Sequence, residues 1–259
     1  MLNACIYAYL KRINYTGSLE PTLQMLQALH DAHLRTIPFE NLDIHMGKKI
    51  LLDQPSLWTK IVKQRRGGLC YEVNGLFAWL LRSLGFEVDL LSARVDGFDM
   101  EHAHLALLVH LEEDWLVDVG FGYSPDQPLL VQASFTQSCE RGINRVIQDG
   151  THWLMQWWNG EWHSAYRFTL TPHEMQDFAE ACIHHETAPG SYFAEHRVCS
   201  IVTRTGRKGL KDQQISIKSD GEEEELYLPN QETFLAALAE HFGIILPNPS
   251  FRSSLFPAP

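Results

Sequence analysis

Apolar positions recur at helical spacing early in the chain and at strand spacing later. Leu23, Leu26 and Leu29 follow Pro21 at threefold intervals, and proline is tolerated in a first helical turn because its missing N–H has no partner there. Val73, Leu76, Phe77, Leu80, Leu81 and Leu84 share one helical face, and Gly85 supplies a stop. Gly67-Gly68 lies just ahead, so Cys70 is expected in the first turn of this helix. From Phe86 the period falls to two: Phe86, Val88 and Leu90 alternate with Glu87 and Asp89. The apolar runs 104–111 and 115–119 flank Glu112-Glu113-Asp114 and predict an antiparallel hairpin, and Asn159-Gly160 predicts a second one between 153–158 and 161–168. Thr171-Pro172-His173-Glu174 predicts a capped helix whose buried face is Met175, Phe178, Ala179 and Cys182. Pro189-Gly190 marks a boundary. Strands are expected around 198–203, 215–217 and 226–228, with a turn at Asp220-Gly221, a solvated acidic turn at 222–225 and a last helix from Asn230 to Gly243. A helical third, a β third and a mixed third make an α+β protein rather than a doubly wound α/β sheet.

Composition narrows the function. At 259 residues the chain has room for about two domains by length alone, at roughly 100–200 residues each. A net charge of −11 argues against a nucleic-acid partner, which needs a basic face, but a local cluster such as Arg204, Arg207, Lys208 and Lys211 can still meet a small anion. No uninterrupted apolar run reaches the roughly 18–20 residues of a membrane span, and the N-terminal charges follow a short apolar stretch, the reverse of a secretory signal. No membrane is expected, and the expected compartment is the cytoplasm. Cys5, Cys70, Cys139, Cys182 and Cys199 are odd in number and widely spaced, which fits free thiols in a reducing compartment.

Cys70 stands out among them. A helix N-terminus carries roughly half a positive charge, which favours an ionised thiol, and its free N–H groups can stabilise an oxyanion. The approach Arg65-Arg66-Gly67-Gly68 is not the apolar pocket of an inert buried cysteine. A nucleophile needs a base and the base an orienting group. His104 and Asp118 lie on the two strands of the first hairpin. A three-residue turn centred on Glu112 sets His104 opposite Gly120 and brings Asp118 to the same face as a diagonal neighbour, whereas a two-residue turn at Glu112-Glu113 separates them. A lone carboxylate in Trp115–Gly122 is a costly resident of an apolar strand.

Arg66-Gly67-Gly68-Leu69-Cys70, the strand from His104 to Val109, Val117-Asp118-Val119-Gly120-Phe121-Gly122 and Ile37-Pro38-Phe39-Glu40-Asn41-Leu42 together resemble the arylamine N-acetyltransferase family, in the same order and at similar separations over essentially the whole chain. The resemblance, closest to bacterial members, implies an acetyl-CoA-dependent enzyme of xenobiotic metabolism. It would transfer acetyl by a ping-pong route through a Cys70 thioester to an arylamine, hydrazine or hydroxylamine. His104 is then the base and Asp118 the orienting carboxylate. Arg66 is expected to pair with Glu40 and Asn41, Asn74 to support the catalytic centre, Phe39 and Phe121 to line the acceptor pocket, and Ala103 and Gly122 to lie near CoA. Acetyl-CoA is the co-substrate and no metal is implied. The implied fold has a helical domain (1–85) carrying the nucleophile, a β-barrel domain (86–190) carrying the base and Asp118, and an α/β lid (191–259), around a core similar to that of cysteine proteases and transglutaminases. Ala103 replaces a threonine common in the family, Leu69 replaces a common aromatic, and the chain is shorter than many members. Two other readings compete: a cysteine hydrolase or transglutaminase-like enzyme with the same triad, and a metal protein using His102 and His104 on one strand face with Asp118. The oligomeric state is not legible.

Overall fold

The computed structural model describes residues 4–98, 100–122, 125–132, 135–139, 142–247 and 249–251. The apolar face read from Val73 to Leu84 becomes the helix around which the first part of the chain packs. That part comprises α1 (Ala4–Arg12), α2 (Leu23–Leu34), β1 (Phe39–Glu40), α3 (Leu42–His45), α4 (Gln54–Trp58), a π-helical turn over Thr59–Lys63, and α5 (Cys70–Ser83). Pro21 stands two residues before α2 rather than in its first turn, because the Thr22 side chain takes the cap and accepts from the Met25 N–H. Tyr71, Val73, Leu76, Phe77, Leu80 and Leu81 are buried in a core shared with α1 and α2.

The next part is β2 (Glu87–Val95), β3 (His104–His110), β4 (Asp114–Val117), β5 (Leu129–Leu130), β6 (Phe135–Cys139), β7 (Gly142–Asp149), β8 (His152–Trp158) and β9 (Trp162–His173). These form one antiparallel sheet in the order β5-β4-β3-β2-β9-β8-β7-β6. The sheet curls until its edges nearly meet. The Gln137 amide of β6 accepts from the Leu130 N–H and donates to the Pro128 carbonyl, so one side chain does at the seam what a ladder does between paired strands. Residues of alternate parity, among them Leu91, Ala106, Leu108, Val146, Met155 and Phe168, fill the barrel.

The helix expected from Thr171 starts later. Leu91 of β2 pairs with Pro172, so β9 runs on through His173. Pairing between β8 and β9 has already stopped at Phe168, so the missing N–H of Pro172 costs no ladder bond on that side. A 3-10 turn over Met175–Phe178 follows, with Asp177 accepting from the Glu174 N–H, then α6 (Ala179–Thr187) and α7 (Tyr192–Glu195). Phe178, Ala181 and Cys182 pack into the core around α5.

The last part is β10 (Val198–Val202), β11 (Gly206–Lys211), β12 (Gln214–Ser219), β13 (Glu222–Tyr227) and α8 (Gln231–Phe242), capped by Asn230 and ended by left-handed Gly243. Its antiparallel sheet has the order β1-β10-β11-β12-β13, so β1 of the helical part is its first strand. The acidic run 222–225 is not a turn but an exposed edge strand, which charge keeps from pairing with other chains. The turn before it is Asp220-Gly221, both residues at positive φ. Among the described residues, no helix is long and apolar enough to cross a membrane.

Candidate active site

Glycine brings the Cys70 turn against β1. A Cβ on Gly67 would stand 1.8 Å from the Pro38 carbonyl oxygen, so no other residue fits without moving backbone. The Gly68 carbonyl then accepts from the Glu40 N–H at 3.0 Å. Arg66, 3% exposed, donates Nε to Glu40 Oε1 at 2.9 Å and Nη2 to Glu40 Oε2 at 3.0 Å, a bidentate clamp. Its remaining nitrogen, Nη1, reaches Asp43 Oδ1 at 3.0 Å. The second partner of Arg66 is therefore Asp43, not Asn41. Asn41 points the other way: its amide donates to the Phe193 and His196 carbonyls and accepts from the Val198 N–H, tying β1 to β10. The ionic chain continues through Lys60, whose Nζ is 2.8 Å from Asp43 Oδ2 and 2.7 Å from Glu72 Oε1. Glu72 Oε2 accepts the Leu69 N–H at 2.9 Å, so the chain ends on the backbone that opens α5. Burial would raise the carboxyls of Glu40 and Asp43, but the cations beside them hold both below their ordinary values. Glu72 goes the other way, because burial outweighs Lys60.

The first hairpin turns over Leu111-Glu112-Glu113, centred on Glu112, with His110 paired to Asp114 and Leu107 to Val117. This register is the one that brings His104 and Asp118 to one face. His104 Nε2–H donates to Asp118 Oδ2 at 2.7 Å, which leaves Nδ1 for its hydrogen bond with the Cys70 sulfur. All three side chains are buried. Asp118 is fully satisfied: Oδ2 also accepts from the Tyr166 hydroxyl at 3.0 Å, and Oδ1 accepts from Asn74 Nδ2 and the Gly120 N–H, each at 2.9 Å. Asn74 donates as well to the Leu105 carbonyl and accepts from the Val119 N–H, so it stitches α5 to the strands carrying His104 and Asp118. Burial disfavours a charged His104, yet the Asp118 carboxylate and the Cys70 sulfur outweigh it and push its pKa up to about 10. Burial would raise Asp118, and His104 and the donors around it lower it instead.

The site opens on a cavity of about 790 Å³ lined by Cys70, His104, Phe39, Phe121, Ala103 and Gly122, with Phe98, His185 and Phe193 around them and Arg207, Lys211, Lys218, Glu223 and Glu225 further out. The cluster noted at Arg204, Arg207, Lys208 and Lys211 is split by the strand: Arg207 and Lys211 line this cavity, whereas Arg204 and Lys208 line a separate groove with Arg35 and His241. The pair of histidines needed by a zinc reading is not formed. His102 lies outside β3 at φ 57° and packs against His173 and Phe178, so the two-residue period does not carry it to the face of His104. Among the described residues no group of three or more His, Cys, Asp or Glu could hold a metal ion.

The sequence reading did not name Asp43, Lys60, Glu72 or Tyr166. Glu72 had a signal, since an acid three residues past a helix cap accepts a free N–H. Tyr166 arrives 48 residues beyond Asp118 on another strand, and nothing local marks it.

A model of the N-acetyltransferase family matches residues 22–251. The arylamine N-acetyltransferase of Escherichia coli (strain K12) is 35% identical over 245 residues, covering 91% of this chain and 87% of the relative. The solved structure of arylamine N-acetyltransferase from Salmonella typhimurium is similar with a TM-score of 0.90 at 32% identity, over 94% of this chain and 92% of that one. The Mycobacterium marinum arylamine N-acetyltransferase in complex with CoA is similar with a TM-score of 0.86 at 31% identity, over 92% of each chain. By class, then, the protein is an acetyltransferase. More narrowly, the chain belongs to the arylamine N-acetyltransferase family.

Proposed function

We propose that this enzyme moves acetyl from acetyl-CoA to an arylamine, hydrazine or hydroxylamine through a thioester on Cys70. The observation that carries the proposal is the unbroken path from Cys70 through His104 to a four-fold hydrogen-bonded Asp118, at the wall of a cavity that Phe39, Phe98, Phe121 and Phe193 also line. With the shared proton held on His104, the sulfur attacks the acetyl carbonyl carbon. N–H groups at the start of α5 receive the oxyanion. Collapse expels the CoA sulfur, which leaves with the His104 proton, and the ring is now a neutral base. The amine then attacks the thioester, His104 takes its proton, and the Cys70 sulfur departs to restore the resting pair.

On this reading Phe39 and Phe121 hold the ring of the amine, and Ala103 and Gly122 border the arm of CoA. Arg207 and Lys211, which line the outer part of the cavity, meet its phosphates. A related enzyme solved with CoA supports acetyl-CoA as the co-substrate. Residues 1–85 then serve as the nucleophile-bearing part, 86–190 as the part bearing base and carboxylate, and 191–259 as a lid whose last residues lie outside the described ones. The thiol on a helix against a histidine on a strand supports the reading of a cysteine-protease-like core. Five free cysteines suit the reducing cytoplasm.

Steady-state kinetics test the route. Initial rates at several fixed amine concentrations should give parallel double-reciprocal lines against acetyl-CoA. Intersecting lines would contradict a covalent intermediate, and CoA release just as fast without amine would indicate a hydrolase instead.

A further inference from the structure

His185, on α6, is 7% exposed and lines the same cavity as Cys70 and His104. Its Nε2 lies 3.1 Å from the Ala103 carbonyl oxygen. A carbonyl oxygen only accepts, so the ring proton is on Nε2 and Nδ1 carries a lone pair. Among the described residues Nδ1 has no protein partner, yet it is not one of the atoms sealed from the surface. The ring is fixed edge-on against Phe193 at 5.1 Å and tilted against Tyr71 and Phe98, both at 5.9 Å. Burial lowers its pKa, the Ala103 bond opposes this, and the nearby His184 and His104 add to the lowering. The ring is therefore neutral at pH 7, a hydrogen-bond acceptor held rigid in an aromatic wall.

We propose that His185 is a specificity residue: its Nδ1 accepts a hydrogen bond from a second N–H or O–H on the amine substrate, so that the cavity favours arylamines bearing such a donor. This rests on the acetyl-transfer reading of the same cavity. A substrate without the donor covers Nδ1 and removes it from water with nothing in return, whereas a substrate with the donor replaces that water. One hydrogen bond on these terms is worth about tenfold in kcat/KM.

The test compares kcat/KM for 3- and 4-hydroxyaniline with that for their methyl counterparts, which match in size, and the difference in ring electronics within each pair is the same for the native enzyme and a variant and so cancels between them. The native enzyme should prefer the hydroxyl compound about tenfold at one ring position. His185→Phe should abolish the preference, and His185→Asn, whose side-chain oxygen stands near the place of Nδ1, should restore part of it. A rate loss in His185→Phe that is equal for both compounds would make His185 only a support for Ala103 and overturn the proposal. So would a native enzyme with no preference at either position, a result that needs no variant to fold. Failure of the underlying reading would show separately, as absence of acetyl from Cys70 by mass after treatment with acetyl-CoA.

Discussion

Asp118 is held by donors from three elements and one loop, and its charge is what keeps His104 protonated far above the ordinary imidazole range. The sign of the resulting pH dependence follows. His104 has a folded pKa raised to about 10, so the stability from its charge is fully present below the unfolded value near 6.5 and is lost as pH rises toward 10. Asp118 is lowered, so its contribution is present above the ordinary carboxylate value and is lost on acidification through its folded one. The melting temperature of Asp118→Asn should therefore fall furthest below that of the native protein between about pH 5 and 7 and approach it toward pH 10. A difference independent of pH would mean that the His104–Asp118 ion pair is not what the substitution removes. Gly120 gives a second prediction. A Cβ there would lie 2.8 Å from the Cys70 Cα and 2.9 Å from Asn74 Nδ2, so Gly120→Ala must push Cys70 or Asn74 aside. Displacements near 1 Å cost on the order of a hundredfold in rate, so kcat should fall by about that factor, as steady-state assays would measure.

Among the elements, α5 depends on partners that are distant in sequence. Arg66, Asp43, Lys60 and Glu72 link β1 and the π-helical turn to the backbone N–H at its start, and most of that chain is buried. Removing one member leaves an uncompensated buried charge, which costs about 3–5 kcal/mol. Arg66→Ala should lower stability by roughly that amount in denaturant titration as well as reducing activity. An unchanged unfolding midpoint would refute the bracing role. Asn41→Ala should act differently, by loosening β1 from β10 without disturbing the clamp on Glu40. Sequence periodicity located α5, the first hairpin and α8, because each has a dense apolar stripe or a clear turn and cap. It missed β6, β7 and β11, whose half-exposed residues show no clean alternation, and it misread 222–225, where a four-acid run is also a good edge strand. The Thr171-Pro172 start failed for a tertiary reason, since pairing with β2 held those residues extended. The Cys70–His104–Asp118 juxtaposition was legible because Asp118 is a charge in an apolar run and the hairpin length fixes its face. The supports from Asp43, Lys60 and Tyr166 depend on topology that no local pattern encodes.

Across the whole molecule, the cavity beside Cys70 and His104 is lined by the helical part, the barrel and the last sheet, and its outer wall carries Arg207 and Lys211 on a protein whose net charge is −11. Confined cations on an acidic surface have a clear signature for an anionic substrate. Arg207→Glu should raise KM for acetyl-CoA several-fold while changing KM for the amine little, and added salt should raise the native KM for acetyl-CoA and narrow the gap between the two proteins. An equal rise in both KM values would point to a general disturbance of the cavity. The central claim is that Cys70 carries the acetyl group between the two substrates, and the mass of the intact protein after brief exposure to acetyl-CoA without amine tests it most directly. The account predicts one added acetyl group, located on the peptide containing Cys70, discharged on addition of an arylamine and never formed in Cys70→Ala. An unmodified native protein that still acetylates amines, or an acetyl group on another residue, would contradict it.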